Sequence, residues 1–213
     1  PALIMCEMLH GYLDDGSTAF PMNIGLGATW DTNLMEKVGN VIGSEARAHG
    51  VHFGFGPVLG VGREPRWGRV AETFSEDVYL VGEIGLAMIE GMQGDTLASD
   101  RSIIAEPKHF AVHSYPQAGG NSSPVIVGER SAREDFLPSF KKAYMIGDAL
   151  GAMCAYSELD GIPCAANEWL LTDVLRKEWG FKGIVVSDLG AIKYIQTTHN
   201  VADSPKESIR QAI

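Results

Sequence analysis

One repeated transition constrains this chain more than any other feature. Five times a short apolar run ends on a polar residue suited to binding or chemistry. Residues 1–6 lead into Glu7, and residues 51–55 into a loop that carries Arg63, Arg66 and Arg69. Residues 103–106 lead into Lys108 and His109, residues 152–155 into Tyr156, and residues 183–187 into Asp188. Helical patterns separate these runs. Such alternation predicts a parallel sheet covered by helices. In folds of that class the active site collects at the carboxyl ends of the strands. The pattern therefore predicts one polar site built from Glu, Arg, Lys, His, Tyr and Asp.

The helical segments are specific enough to place. A helix over 31–49 would turn Leu34, Val38, Ile42 and Ala46 to one face and stop at Gly50. Ser75 is suited to cap the next helix, with Glu76 and Asp77 favourable in its first turn and Val81, Ile84, Met88 and Ile89 as the buried stripe. Pro138 should break the helical stretch 131–146 and open a second helix. Asn167 should cap a helix with Leu170, Leu171, Val174 and Leu175 inward. A last helix is expected over 205–213. Between 111 and 128 runs a loop rich in Gly, Ser, Asn and Pro, of a length that is usually functional or disordered.

Two architectures fit five such units: an open doubly wound sheet, or part of an eight-unit barrel. The open sheet usually carries a Gly-rich phosphate turn after its first strand. Here that position reads Glu7-Met8-Leu9-His10-Gly11. The expected fold class is therefore α/β, a (β/α)8 TIM-barrel-like domain that is incomplete, with residues 1–213 forming one partial barrel domain. Five units cannot bury the faces that eight would. The chain is expected to be a fragment, or to be completed by other segments, and its opening inside an apparent strand suggests that the true N-terminus lies upstream.

Composition removes several functions. The chain has 213 residues, 45% of them apolar and 21% charged, and a net charge of −10. That charge argues against nucleic acid, which calls for a basic face. No apolar run reaches the roughly 18 residues of a spanning helix, so no membrane partner is expected. Cys6, Cys154 and Cys164 have no zinc-type spacing, and Cys6 and Cys154 read as buried thiols. Neither a metal nor a cofactor is expected. Gly-x-Ser-x-Gly is absent, which leaves a hydrolase serine without support. Nothing in the pattern specifies an oligomeric state.

Asp188 is the leading nucleophile candidate, a carboxylate at a strand's end between Gly183 and Gly190; as a plain structural residue it would cap the following helix. A carboxylate nucleophile suits glycoside chemistry, where a nearby anion stabilises an oxocarbenium-like transition state. Lys108 and His109 are suited to hydrogen bonding vicinal hydroxyls. Strand alternation sends neighbours opposite ways, so both reach one ligand only if the strand ends irregularly, which Pro107 makes plausible. In residues 63–72 some arginines should pair with Glu64, Glu72 or Glu76 to fix the loop, and another should point into the site. Trp67 is either packing or a sugar platform, and Tyr156 either core or a hydroxyl near Asp188.

These residues resemble glycoside hydrolase family 3. The resemblance rests on Lys108-His109-Phe110, on Pro65-Arg66-Trp67-Gly68-Arg69 with Ser75-Glu76-Asp77, on Trp179-Gly180-Phe181-Lys182-Gly183 and on Val185-Val186-Ser187-Asp188. It runs from Glu7 to about Ile192. It implies an N-terminal (β/α)8 barrel and an exo-acting retaining β-glycosidase, a β-glucosidase first and a β-xylosidase or α-arabinosidase second, that takes an oligosaccharide or glycoside. A sugar-binding relative without catalysis is the reading from another class. The resemblance implies Asp188 as nucleophile, Lys108, His109 and Arg69 as ligands of the non-reducing sugar, Tyr156 beside the nucleophile, and Glu7 where many members carry Asp. It implies a general acid/base Glu from a C-terminal domain, and work outside the cytoplasm, periplasmic or secreted. Leu189 departs from the tryptophan that commonly follows the nucleophile. Glu7 reaches about one methylene further than Asp, which would crowd a hydroxymethyl group and favour a pentose.

Overall fold

The computed structural model describes residues 2–212. Strand β1 (Met5–Glu7) is followed by a short helix α1 (Asn23–Gly27) and a long helix α2 (Thr32–Ala48). Strand β2 (Phe53–Val58), helix α3 (Val78–Gln93) and strand β3 (Ile104–Lys108) come next. Helix α4 (Gly128–Ser131), a wide π-type turn over Ala132–Phe136 and helix α5 (Leu137–Met145) lead to strand β4 (Gly151–Cys154). A small antiparallel hairpin, β5 (Glu158–Leu159) and β6 (Ile162–Pro163), precedes a π-type helix over Trp169–Glu178. Strand β7 (Ile184–Ser187) and helices α6 (Ala191–Thr197) and α7 (Pro205–Ala212) complete the described residues.

The sheet order decides between the two architectures. β1, β2 and β3 pair in parallel in chain order, and β4 pairs in parallel with β7. Phe110 joins the two groups: its N–H donates to the Met153 carbonyl at 2.6 Å and its carbonyl accepts from Ala155 N–H at 2.8 Å. The five strands thus follow one another without the reversal that defines an open doubly wound sheet. This is the wall of a (β/α)8-type barrel, with five βα units present.

The helices form where the pattern predicts, with local differences. In α2 the Asp31 side chain accepts from Leu34 N–H at 2.9 Å, and Met35, Val38, Ile42 and Ala46 are buried. Leu34 is on the exposed side, and Met35 takes its expected place. Asp77, not Ser75, caps α3 by accepting from Leu80 N–H at 2.8 Å; the Ser75 hydroxyl instead accepts from Asp77 N–H. Both residues are suited to capping, and the one nearer the buried stripe wins. Val81, Ile84, Met88 and Ile89 are buried as expected. Pro138 lies in the first turn of α5. The Asn167 side chain accepts from Leu170 N–H at 3.0 Å at the start of the π-type helix.

Strand β2 begins two residues later than its apolar run, and β3 one residue later. Val51 N–H still closes on the Ala46 carbonyl at 3.0 Å, so it belongs to the end of α2. Phe55 and Gly56 both stand opposite Glu106, a local bulge beside Pro107, which has no N–H for the ladder. Ile213 of the last expected helix lies outside the described residues. Among those residues no helix is long and apolar enough to cross a membrane.

Helices α2 and α3 approach closely because glycine lines their contact. A Cβ on Gly43 would lie 2.7 Å from the Met92 carbonyl oxygen and 3.2 Å from Met92 Cα. Gly43→Val should push the helices apart and lower stability by about 1–3 kcal/mol, the usual cost of overpacking. Urea denaturation measures this as a lower midpoint with an unchanged slope.

Candidate active site

Each strand end delivers the residue its apolar run predicts. Glu7 is the last residue of β1, and both its oxygens lie 2.6 Å from Lys108 Nζ. Lys108 is buried while Glu7 is half exposed, so the pair forms one wall with its acidic end toward solvent. The Lys108–His109 peptide is cis, so the strand ends irregularly at the adjacent pair.

Arg69 stands at the centre. Its Nε and Nη2 donate to Glu72 at 2.8 and 2.7 Å. Nη2 also donates to His109 Nε2 at 2.9 Å, and Nη1 to the Tyr156 hydroxyl at 2.9 Å and to His113 Nε2 at 3.3 Å. A guanidinium cannot accept, so both imidazoles present a bare Nε2 and carry their proton on Nδ1. Burial opposes the charge on Arg69, but the Glu72 carboxylate outweighs it and holds the guanidinium above its ordinary value. The other loop arginines are structural. Arg66 is bidentate to Glu64 at 2.8 and 2.7 Å, and Arg63 pairs with Asp135 at 3.0 Å.

Asp188 follows β7, and its N–H continues the ladder to the Cys154 carbonyl at 3.0 Å. Its carboxylate does not cap α6. That helix begins after Gly190, whose φ of 82° turns the chain without a side-chain cap. Oδ1 accepts only from Leu189 N–H, at 2.6 Å. Oδ2 is buried, has no hydrogen-bond partner and lies 3.8 Å from His109 Nε2. Burial raises the Asp188 pKa; the Leu189 N–H, Arg69 and Lys108 work against that rise.

Tyr156 does not hydrogen bond to Asp188. Its hydroxyl instead meets Arg69 and the Asn121 side-chain amide. Asn121 Oδ1 in turn accepts from the Trp67 indole N–H at 2.8 Å. Trp67 is buried and packs edge-on against His113, so it is a packing residue that ties the loop 111–128 to the site.

Two of these residues are not singled out by the sequence pattern. Asn121 is one polar residue in a polar loop. His113 lies four positions after His109, a ligand spacing in its own right on a helix. Here both rings lie on irregular backbone after β3, their centroids are 4.8 Å apart, and Arg69 donates to both. Among the described residues no three His, Cys, Asp or Glu side chains form a metal-binding group. Burial, then the charges of His113, Lys108 and Arg69, drives the His109 pKa well below 6.5. Burial and Arg69 push His113 down to about 3.

Against this geometry the relatives are informative. The model of the glycosyl hydrolase family 3 N terminal domain matches residues 1–213. A periplasmic beta-glucosidase of Salmonella typhimurium is 36% identical, over 100% of this chain and 27% of its own length. A putative beta-xylosidase of Formosa agariphila is 35% identical, over 100% of this chain and 28% of its own. The crystal structure of a beta-glucosidase from Listeria innocua superposes with a TM-score of 0.93 at 36% identity, over 100% of this chain and 29% of that one. The chain thus spans less than a third of the length of these relatives. It belongs to glycosyl hydrolase family 3.

The neutral histidines make the site sensitive to acid. The unfolded chain binds a proton on His113 near pH 6.5, whereas the folded site binds it only at about 3. Stability from this group is therefore full above pH 6.5 and declines as the pH falls through that window. Replacing His113 by Phe should flatten the fall of the denaturation midpoint between pH 6.5 and 3, with the His109 contribution remaining.

Proposed function

We propose that this family 3 domain is the nucleophile-bearing barrel of an exo-acting retaining β-glycosidase, with terminal β-D-glucosyl residues as its first substrate class. The observation that carries the reading is Asp188. Its Oδ2 is buried without a partner at the mouth of the barrel, beside two cations and a neutral imidazole. A carboxylate deprived of hydrogen bonds is more nucleophilic than a solvated one, and Arg69 and Lys108 oppose the rise that burial causes in its pKa.

In this reading Asp188 attacks the anomeric carbon, the glycosidic oxygen leaves with a proton, and water then displaces the carboxylate from the glycosyl ester. Lys108 donates to sugar hydroxyls from a fixed position because Glu7 holds its ammonium. Glu7 keeps its exposed edge for hydroxyls. His109, with Nδ1 protonated, presents a ring whose orientation Arg69 sets. Tyr156, anchored by Arg69, closes the side of the pocket.

The leaving oxygen needs an acid, and the carboxylates around Asp188 are committed. Glu7 is engaged by Lys108, Glu72 by Arg69, and Glu106 is sealed from solvent. The family resemblance implies that the acid is a Glu of a C-terminal domain. In this reading residues 1–213 form the partial barrel domain of a larger protein, in keeping with relatives of which this chain spans less than a third. The exposed edges at Leu3 and Ile4 and at Ile184 are the faces that further strands would cover. The Salmonella relative, named periplasmic, supports a compartment outside the cytoplasm.

Two features favour a second substrate class, β-xylosides or α-arabinosides. The longer Glu7 side chain would crowd a hydroxymethyl group, and a relative named a putative beta-xylosidase matches 100% of this chain. The Listeria relative has also been solved with glucose and with isofagomine, which supports the glucoside reading.

A 2-deoxy-2-fluoro glucoside with a good leaving group, with the xyloside in parallel, tests the proposal on the complete protein. Covalent label should map to Asp188 by peptide mass spectrometry, and the faster sugar identifies the class. Labelling should fall on the acid side above the ordinary aspartate value of 3.8, because burial raises the Asp188 pKa. Asp188→Asn should lower kcat/KM by roughly 10⁴-fold. A folded protein that takes no label from either sugar would leave the reading of a binding protein without catalysis.

A further inference from the structure

A second carboxylate lies below the site and has no part in that mechanism. Glu106 is completely buried, and neither of its oxygens has a hydrogen-bond partner. It is enclosed by this chain's own side chains and backbone. Gly151 of β4 leaves room for it, since a Cβ there would lie 2.7 Å from Glu106 Cβ and 2.6 Å from Phe53 Cζ.

Its place in the strand register gives it a partner by position. Glu7, Phe55 and Glu106 stand side by side across β1, β2 and β3. Lys108 is two residues further along β3, on the same face as Glu106 by strand alternation. Its ammonium nevertheless reaches back across two strands to Glu7, with both oxygens at 2.6 Å. Two inter-strand spacings are about 9–10 Å, whereas two residues along a strand are about 6.5–7 Å. An ionised Glu106 would thus be the nearer anion. That Lys108 passes it over is explained if Glu106 carries no charge. A buried carboxyl without hydrogen bonds is held neutral by the cost of desolvating its anion.

We propose that Glu106 is a positioning residue of the sugar site: held as an uncharged carboxylic acid beneath Lys108, it leaves the ammonium to Glu7, and its ionisation draws Lys108 down and away from the sugar. The inference rests on the glycosidase reading for its consequence, but not for the protonation state.

The groups facing Glu106 are Lys108 on β3, Glu7 on β1, Asp188 after β7, Tyr144 on α5 and Cys154 on β4. Burial raises the Glu106 pKa to about 9. Lys108 opposes the rise, and Glu7 and Asp188 add to it. The relevant window therefore lies on the alkaline side.

The test separates this residue from the general acid by using a probe that needs none. Inactivation by a 2-deoxy-2-fluoro glucoside with a dinitrophenolate leaving group depends on the nucleophile and the sugar contacts alone. On the complete protein, Glu106→Gln keeps the shape and the neutrality. It should label at the parent's rate at neutral pH. As pH passes about 9 the parent's rate should drop several-fold and its binding of a neutral sugar lactone should weaken in step. The Gln variant should hold its rate through that window.

Infrared spectroscopy of the unaltered protein should show a protonated carboxyl at neutral pH that disappears over the same range, and this needs no variant to fold. An identical alkaline limb in parent and variant would overturn the proposal, as would the absence of a protonated carboxyl band. If neither protein is labelled while the band is present, the glycosidase reading fails and the neutral Glu106 stands.

Discussion

The Glu72 carboxylate grips Arg69 by Nε and Nη2, and that grip aims the remaining N–H groups at Tyr156, His109 and His113. All five guanidinium donors are matched, which a lysine's ammonium cannot reproduce. The site is assembled from distant parts of the chain: the loop after β2, the end of β3, the turn after β4. Phe110 ties the end of β3 to the turn after β4 through backbone hydrogen bonds. Arg69 adds the side-chain link among all three, and through Tyr156 and Asn121 it also holds Trp67 and the long loop 111–128. The same contacts fix chemistry as well as shape. An Arg that donates to two imidazoles forces both into one tautomer and keeps both neutral, so Asp188 faces a polar ring instead of a counter-ion.

Charge around Asp188 is balanced by pairs rather than by single residues. Lys108 is offset by Glu7 and Arg69 by Glu72, so neither cation binds the nucleophile directly. A direct salt bridge would have lowered the nucleophilicity of Asp188 by satisfying its oxygens. The pairs instead hold Arg69 and Lys108 at a distance, where they work against the rise that burial causes in the Asp188 pKa while Oδ2 stays bare. Glu106 fits this scheme only as a neutral group. A second uncompensated negative charge in the same enclosure would raise the Asp188 pKa further.

Most of the site was legible because strand ends obey a simple rule. An apolar run terminates where the sheet meets solvent, and the residue there is free to serve a ligand. Glu7, Arg69, Lys108, His109, Tyr156 and Asp188 follow from that rule and from the resemblance. The residues that did not follow depend on contacts distant in sequence. Asn121 looks like any loop amide until the fold brings it between Trp67 and Tyr156. His113 gains its role only because Arg69, 44 positions earlier, reaches it. Glu106 reads as the last residue of a strand, but the strand continues to Lys108, which buries it. At the start of β2, Val51 closes the end of α2 and the ladder begins at His52, whose N–H donates to the Ile4 carbonyl and whose carbonyl accepts from Ile104 N–H.

Leu189 shows what the pairs around Asp188 must then accomplish. It follows the nucleophile, yet its side chain is 90% exposed, because Gly190 turns the chain immediately afterwards. A branched aliphatic chain offers no flat face on which a sugar ring can stack. In the proposed reading, orientation of the sugar therefore falls to hydrogen bonds from Lys108, His109 and the free edge of Glu7, while Arg69 is fully engaged by its protein partners. Such groups discriminate by hydroxyl position and penalise a missing partner, whereas a stacking surface discriminates weakly between similar rings. A site of this construction reads which hydroxyls a sugar presents. In the proposed reading, Glu7, longer by one methylene than the Asp of the common pattern, is the group placed to sense the size of what the sugar carries at C5.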